Sequence, residues 1–252
     1  MTDISSAKPT GDLASGHTVR RYDQELAKLR GIILEMGERV VEQTQAAVFA
    51  LVDREDSHAF RVLDREPQID FLSLDADEEV FRVIVRRQPT AVDLRIVLAL
   101  SKIADDVERA GDKAVRIARQ ALELKEFSTD SGCLSDSLKE ALRQLDEKAC
   151  CMFERSIQAV AGFDVAFALG IFEDEPDLYQ ASNKARKLLG EQDREGLTPR
   201  QTVCLLTCAH ALERIGNHAA NIAEQVIYVA LGQDVRYRNR EILIETLRHR
   251  GY

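Results

Sequence analysis

Nowhere in the 252 residues does an uncharged apolar run approach the roughly eighteen needed for a membrane-spanning helix, so no integral membrane segment is expected. The first residues lack the basic and then apolar order of a secretory leader, and a cytoplasmic location is expected. Positive charge is in deficit: 34 Lys and Arg stand against 43 Asp and Glu, a net charge of −9. That balance argues against nucleic-acid binding and against direct attachment to an anionic bilayer, leaving any membrane contact peripheral. Cysteine is scarce and odd in number. Cys133, Cys150, Cys151, Cys204 and Cys208 show no C-x2-C spacing, so a reduced compartment and buried structural thiols are the simple reading. Catalytic motifs are missing as well: there is no P-loop, Gly-rich dinucleotide turn, G-x-S-x-G elbow or H-E-x-x-H pair. No nucleophile stands out, and an enzyme is not expected. Strand-like alternation is absent too, so the fold class is all-α.

What the chain does have is helical periodicity. With 45% hydrophobic and 31% charged residues it can bury a sizeable core. After a polar, disordered lead-in at residues 1–16, Tyr22, Leu26, Leu29, Ile33, Met36, Val40, Ala47 and Ala50 step by fours and threes, with Gln43 filling one slot. A second helix spans about Ser57 to Arg87, interrupted by Pro67 and closed by Pro89. A third starts at Pro89 and carries an unbroken seam from Ile96 to Leu124. A linker at 128–133 follows. Helices four (to about Ala161), five (Asp164 to about Leu189, with Pro176 inside) and six come next, the last capped by Thr198-Pro199. Helices three and six superpose at a shift of 105 positions (213 − 108), which matches Leu100 with Leu205, Glu108 with Glu213 and Gly111 with Gly216. The expectation is two three-helix repeats, at 17–127 and 134–232. The 233–252 tail is either an amphipathic docking segment or a frayed terminus.

Asp105, Glu108 and Asp112 share one stripe of the third helix, beside its apolar face. Like charges so placed oppose folding unless a cation sits among them, either a hard metal ion or neighbouring Arg and Lys. Asp70 and Asp77, seven apart on the second helix, are the best partners for Glu108 across a helix pair. In the sixth helix the same stripe carries His210, Glu213 and Asn217, with Glu224 two turns on, and the fifth offers Asp174 and Asp177. Gly111 and Gly216 sit mid-helix, where Gly costs about 1 kcal/mol, and both suggest close backbone approach. Metal binding and a salt-bridge network both remain open on these grounds. A carboxylate-bridged metalloenzyme is a rival reading, although the sequence has only His210-Ala211-Leu212-Glu213, the reverse of the usual Glu-x-x-His order. A metal-free helical scaffold is another.

The segments Arg87-Gln88-Pro89-Thr90-Ala91-Val92-Asp93-Leu94-Arg95 and Glu108-Arg109-Ala110-Gly111-Asp112 resemble the first repeat of the PhoU family. Glu213-Arg214-Ile215-Gly216-Asn217 through Glu224, then Gly232-Gln233-Asp234-Val235-Arg236, resemble the second. The resemblance implies two bundles related by a pseudo-twofold axis. It also implies a cytoplasmic negative regulator of phosphate uptake and of the phosphate-starvation response. Such a protein would link a phosphate-sensing histidine kinase to the ATPase subunit of the phosphate ABC transporter, commonly as a homodimer. It implies iron, zinc, manganese or magnesium at paired acidic motifs, here Asp77 with Glu108 and Asp112, and Glu213 with Asn217. Two positions depart from the pattern: Ser73 replaces an acid four before Asp77, and Asn217 replaces an Asp. The second site is therefore expected to be the weaker or empty.

Overall fold

The four-three seams become the buried faces of helices. The computed structural model describes residues 20–126, 134–191 and 197–252, so the expected tail at 1–16 and linker at 128–133 lie outside the described residues. The helices are α1 (Arg20–Asp53), α2 (Asp56–Arg87), α3 (Ala91–Glu126), α4 (Asp136–Gly162), α5 (Val165–Glu191), α6 (Pro199–Leu231) and the short α7 (Arg240–His249). No strand occurs among the described residues. α1, α2 and α3 pack as one bundle and α4, α5 and α6 as a second; the two join along α3 with α6 and α1 with α4. Leu100, Ile103, Val107 and Ile117 of α3, and Leu205, Leu212, Ile222 and Val226 of α6, are shut off from water. Each large aliphatic among them contributes about 1.5–3 kcal/mol by that burial.

Ends and interruptions follow local chemistry. At the start of α6 the Thr198 hydroxyl accepts from the Gln201 N–H at 3.3 Å, and the Gln201 side chain accepts from the Thr198 N–H at 2.8 Å. Gln88 closes α2 in the left-handed region, its N–H bonded to the Ile84 carbonyl at 3.0 Å. α3 accordingly begins at Ala91 rather than at Pro89. The interruption expected at Pro67 does not occur: α2 runs through it, as α5 runs through Pro176. Burial of Val62 and Ile69 on either side of Pro67 holds the helix, and Gln43 donates its amide to the Arg65 carbonyl at 3.3 Å. That bond accounts for the one polar residue in the α1 seam.

Two features lie outside the repeat pattern. α7 docks on α5: Leu243 and Leu247 are buried, and Arg240 stacks 4.0 Å from the Phe172 ring centroid while bridging Glu175 (3.2 Å) and Glu224 (2.8 Å). The C-terminal segment is thus a docked helix and not a frayed end. On α4, burial pushes the Asp146 carboxyl up to about 6, although the Cys150 thiol donates to it at 3.3 Å. Because the folded value is raised, this group's contribution to stability is full below the ordinary carboxylate range and is lost as pH rises through about 6. Asp146→Asn is expected to stabilise the chain at pH 7.5 by on the order of 2 kcal/mol and to flatten the stability profile between about pH 4 and 6. Urea melts at several pH values would read this, and an unchanged profile would rule it out.

Candidate functional site

The repeated mid-helix glycines set the spacing of the site. A Cβ at Gly111 would meet Ile69 Cδ1 of α2 at 3.1 Å, and one at Gly216 would overlap Leu178 Cδ2 of α5. Each glycine lets one helix lie close against its neighbour at the level where the acidic residues project. In the first bundle, Gln43, Glu66, Asp70, Glu108 and Asp112 line a shallow cleft floored by Ile69, Gly111 and Val115. Burial, then repulsion from Asp112 and Asp70, raises the Glu108 carboxyl above its ordinary value. Asp70 is raised by burial, then by Glu66 and Asp112, and Asp105 by burial, then by Asp77. Asp70 is therefore the α2 carboxylate that joins Glu108 and Asp112, while Asp77 sits nearer Asp105.

Arg109 offsets part of the repulsion at Asp105 and Glu108. Glu66 is held by Arg119 at 3.0 Å. Among the described residues none of Asp70, Asp77, Asp105, Glu108 and Asp112 has an ion-pair or hydrogen-bond partner. No three of the described His, Cys, Asp and Glu side chains converge closely enough to enclose a metal ion as they stand. The site is an open acidic wall rather than a cage.

The second bundle solves the same position differently. Glu213, 9% exposed, accepts from the Ser182 hydroxyl at 2.5 Å and pairs with the Arg186 guanidinium. Asn217 accepts from the Tyr179 hydroxyl at 3.5 Å. Asp177 is bound to Lys148 at 3.0 Å, Glu224 is held by Arg240, and His210 is exposed. α2 and α5 superpose at a shift of 109 positions (186 − 77), which aligns Pro67 with Pro176, Ile69 with Leu178, Ser73 with Ser182 and Asp77 with Arg186. The same shift aligns Asp70 with Tyr179. Asp70, Asp77 and Asp112 thus become Tyr179, Arg186 and Asn217. The charge reverses at the Asp77 position and the level as a whole becomes neutral, an internal ion pair replacing the open wall.

One polar constellation escaped the sequence reading. His218, 2% exposed, holds Asp106 through its Nδ1 at 2.8 Å, and the Asn221 amide donates to the same oxygen at 3.0 Å. These contacts tie α6 to α3 across the junction of the bundles. Asp106 adjoins Asp105 in sequence but faces α6, so its partners lie in the other bundle.

The PhoU domain description matches the chain twice, over residues 33–121 and 142–226. The chain belongs to the PhoU family. The phosphate-specific transport system accessory protein PhoU homolog of Pseudomonas aeruginosa is 32% identical over 228 residues, covering 90% of this chain and 92% of that protein. PhoU of Escherichia coli K12 is 31% identical and covers 88% and 90%. The crystal structure of PhoU from P. aeruginosa superposes with a TM-score of 0.74 at 32% identity, over 84% of this chain and all of that one. The phosphate transport system regulatory protein PhoU from Streptococcus pneumoniae, at 22% identity and a TM-score of 0.76, shares the fold. No described helix is long and apolar enough to cross a membrane.

Proposed function

We propose that the chain is a non-catalytic accessory protein of phosphate transport. In this reading it acts in the cytoplasm as a negative regulator of phosphate uptake and of the phosphate-starvation two-component response. It connects the ATPase subunit of the phosphate ABC transporter with a sensor histidine kinase and works as a homodimer. The observation that carries the reading is the PhoU match across both repeats, which spans nearly the full length of relatives named as accessory proteins of that system. Purified chain is expected to bind the ATPase subunit or the cytoplasmic part of the kinase with a Kd in the nanomolar to micromolar range. Titrations that reach about 100 μM without binding to either partner would count against the adaptor role.

The reading includes a divalent-cation site in the first bundle only. Glu108, Asp112 and Asp70, with Asp77 nearer Asp105, have no ion-pair partner among the described residues, and burial followed by repulsion from neighbouring carboxylates raises the proton affinity of Glu108 and Asp70. Such a donor set suits magnesium or manganese, and iron before zinc, with water completing the shell. Ser182, Arg186 and Asn217 do not fit a cation, since Arg186 already neutralises Glu213. Asp112→Asn is expected to weaken manganese binding about tenfold or more, whereas Asn217→Ala leaves it unchanged in calorimetric titration. Equal losses from the two variants would remove the distinction between the bundles.

A further inference from the structure

α2 carries a row of large apolar side chains that no described residue covers. Phe71 (66% exposed), Leu74 (60%), Phe81 (70%) and Val85 (57%) fall within about 80° of one another on the helical wheel. Val92, just past the turn into α3, is also exposed. In the second bundle the residues aligned with Phe71, Leu74 and Phe81 are Gln180, Asn183 and Gly190, all suited to water. The row is therefore particular to α2 and is not a by-product of the repeat. A contiguous exposed row of this size marks an interaction surface.

The charges beside the row point to its occupant. Asp75, Asp77, Glu78 and Glu79 precede Phe81, and Arg82, Arg86 and Arg87 follow it, so α2 is acidic on one side of Phe81 and basic on the other. Asp75 and Arg86 flank the same edge of the row, and among the described residues neither is in an ion pair. A helix with this division is complementary to its own reverse. We infer that two copies of the chain associate through antiparallel α2 helices, with the two Phe81 rings beside the twofold axis. Asp75 then faces Arg86 of the partner subunit, while Arg82 stays paired with Glu78 and Glu79 of its own helix. Phe71 packs over the partner's turn from α2 to α3, where Val92 lies. A single twofold contact satisfies both the apolar row and the unpaired charges, as an isologous interface requires. This gives a surface to the homodimer of the reading above, and its failure would leave the phosphate-regulation reading intact.

Light scattering on the full chain over a concentration series tests it. The unmodified chain is expected to be a dimer, and Phe81→Glu a monomer with unchanged helicity, since Phe81 is exposed, and with a melting temperature that no longer depends on protein concentration. Asp75→Arg should weaken dimerisation at least tenfold, and adding Arg86→Asp should restore it to within about threefold of the original. An unmodified chain that stays monomeric at about 100 μM overturns the proposal, as does a dimer that survives Phe81→Glu. Failure of the charge exchange to restore association overturns the antiparallel arrangement. If Phe81→Glu leaves the dimer intact and abolishes binding to the kinase, the row belongs to that partner and the proposal falls.

Discussion

Gly216→Val is expected to lower the stability of the chain by about 3 kcal/mol, a fall of roughly 6–12 °C in melting temperature for a protein of this size. Even a methyl group at this position would overlap Leu178, which is completely buried in α5. Valine adds two further carbons, so α5 and α6 must separate and the surrounding core must open. Gly111→Ala makes the contrasting case. Its new methyl would meet only the tip of Ile69, at 3.1 Å, and the gain of about 1 kcal/mol in helix propensity offsets most of that crowding. The two equivalent glycines should therefore differ by well over 1 kcal/mol in urea melts. Equal, small effects would mean that the second bundle is looser than its packing indicates.

Removing the cation of the second bundle should be nearly as costly. Arg186→Leu leaves the Glu213 carboxylate, whose side chain is 11% exposed, with Ser182 as its remaining partner. A fully enclosed pair broken in this way loses several kcal/mol; Arg186 is itself 38% exposed, and water screening brings the expected loss to about 2 kcal/mol at neutral pH. Glu213→Gln introduced together with Arg186→Leu removes the stranded charge while keeping a hydrogen-bonding group for Ser182. The pair of changes should return to within about 1 kcal/mol of the original stability. A double-mutant cycle with no coupling would show that the ion pair does not hold this level together.

These contrasts indicate how far the sequence could be read. Helix periodicity gave the seams of α1, α3, α4 and α6 because each is buried along its whole length, and Thr198-Pro199 announced the start of α6. The glycines were legible since their cost mid-helix had to be offset by something in the packing. Pro67 misled, because the neighbours that keep α2 continuous lie on other helices and the bond that Gln43 supplies is tertiary. The charge reversal in the second bundle was hidden for a simpler reason: Arg186 and Asp77 are equivalent only when α5 is laid on α2 at its own shift, four positions different from that of α3 and α6. The contact of Asp106 with His218 depends on how the two bundles meet, which no pattern within a single helix encodes.

Deletion of the gene in its own host tests the regulatory role most directly. In phosphate-rich medium an alkaline phosphatase or transporter reporter is expected to stay on and intracellular phosphate to accumulate, with both reversed when the gene is restored. A reporter that shuts off normally in the deletion strain, with phosphate unchanged, would contradict that role.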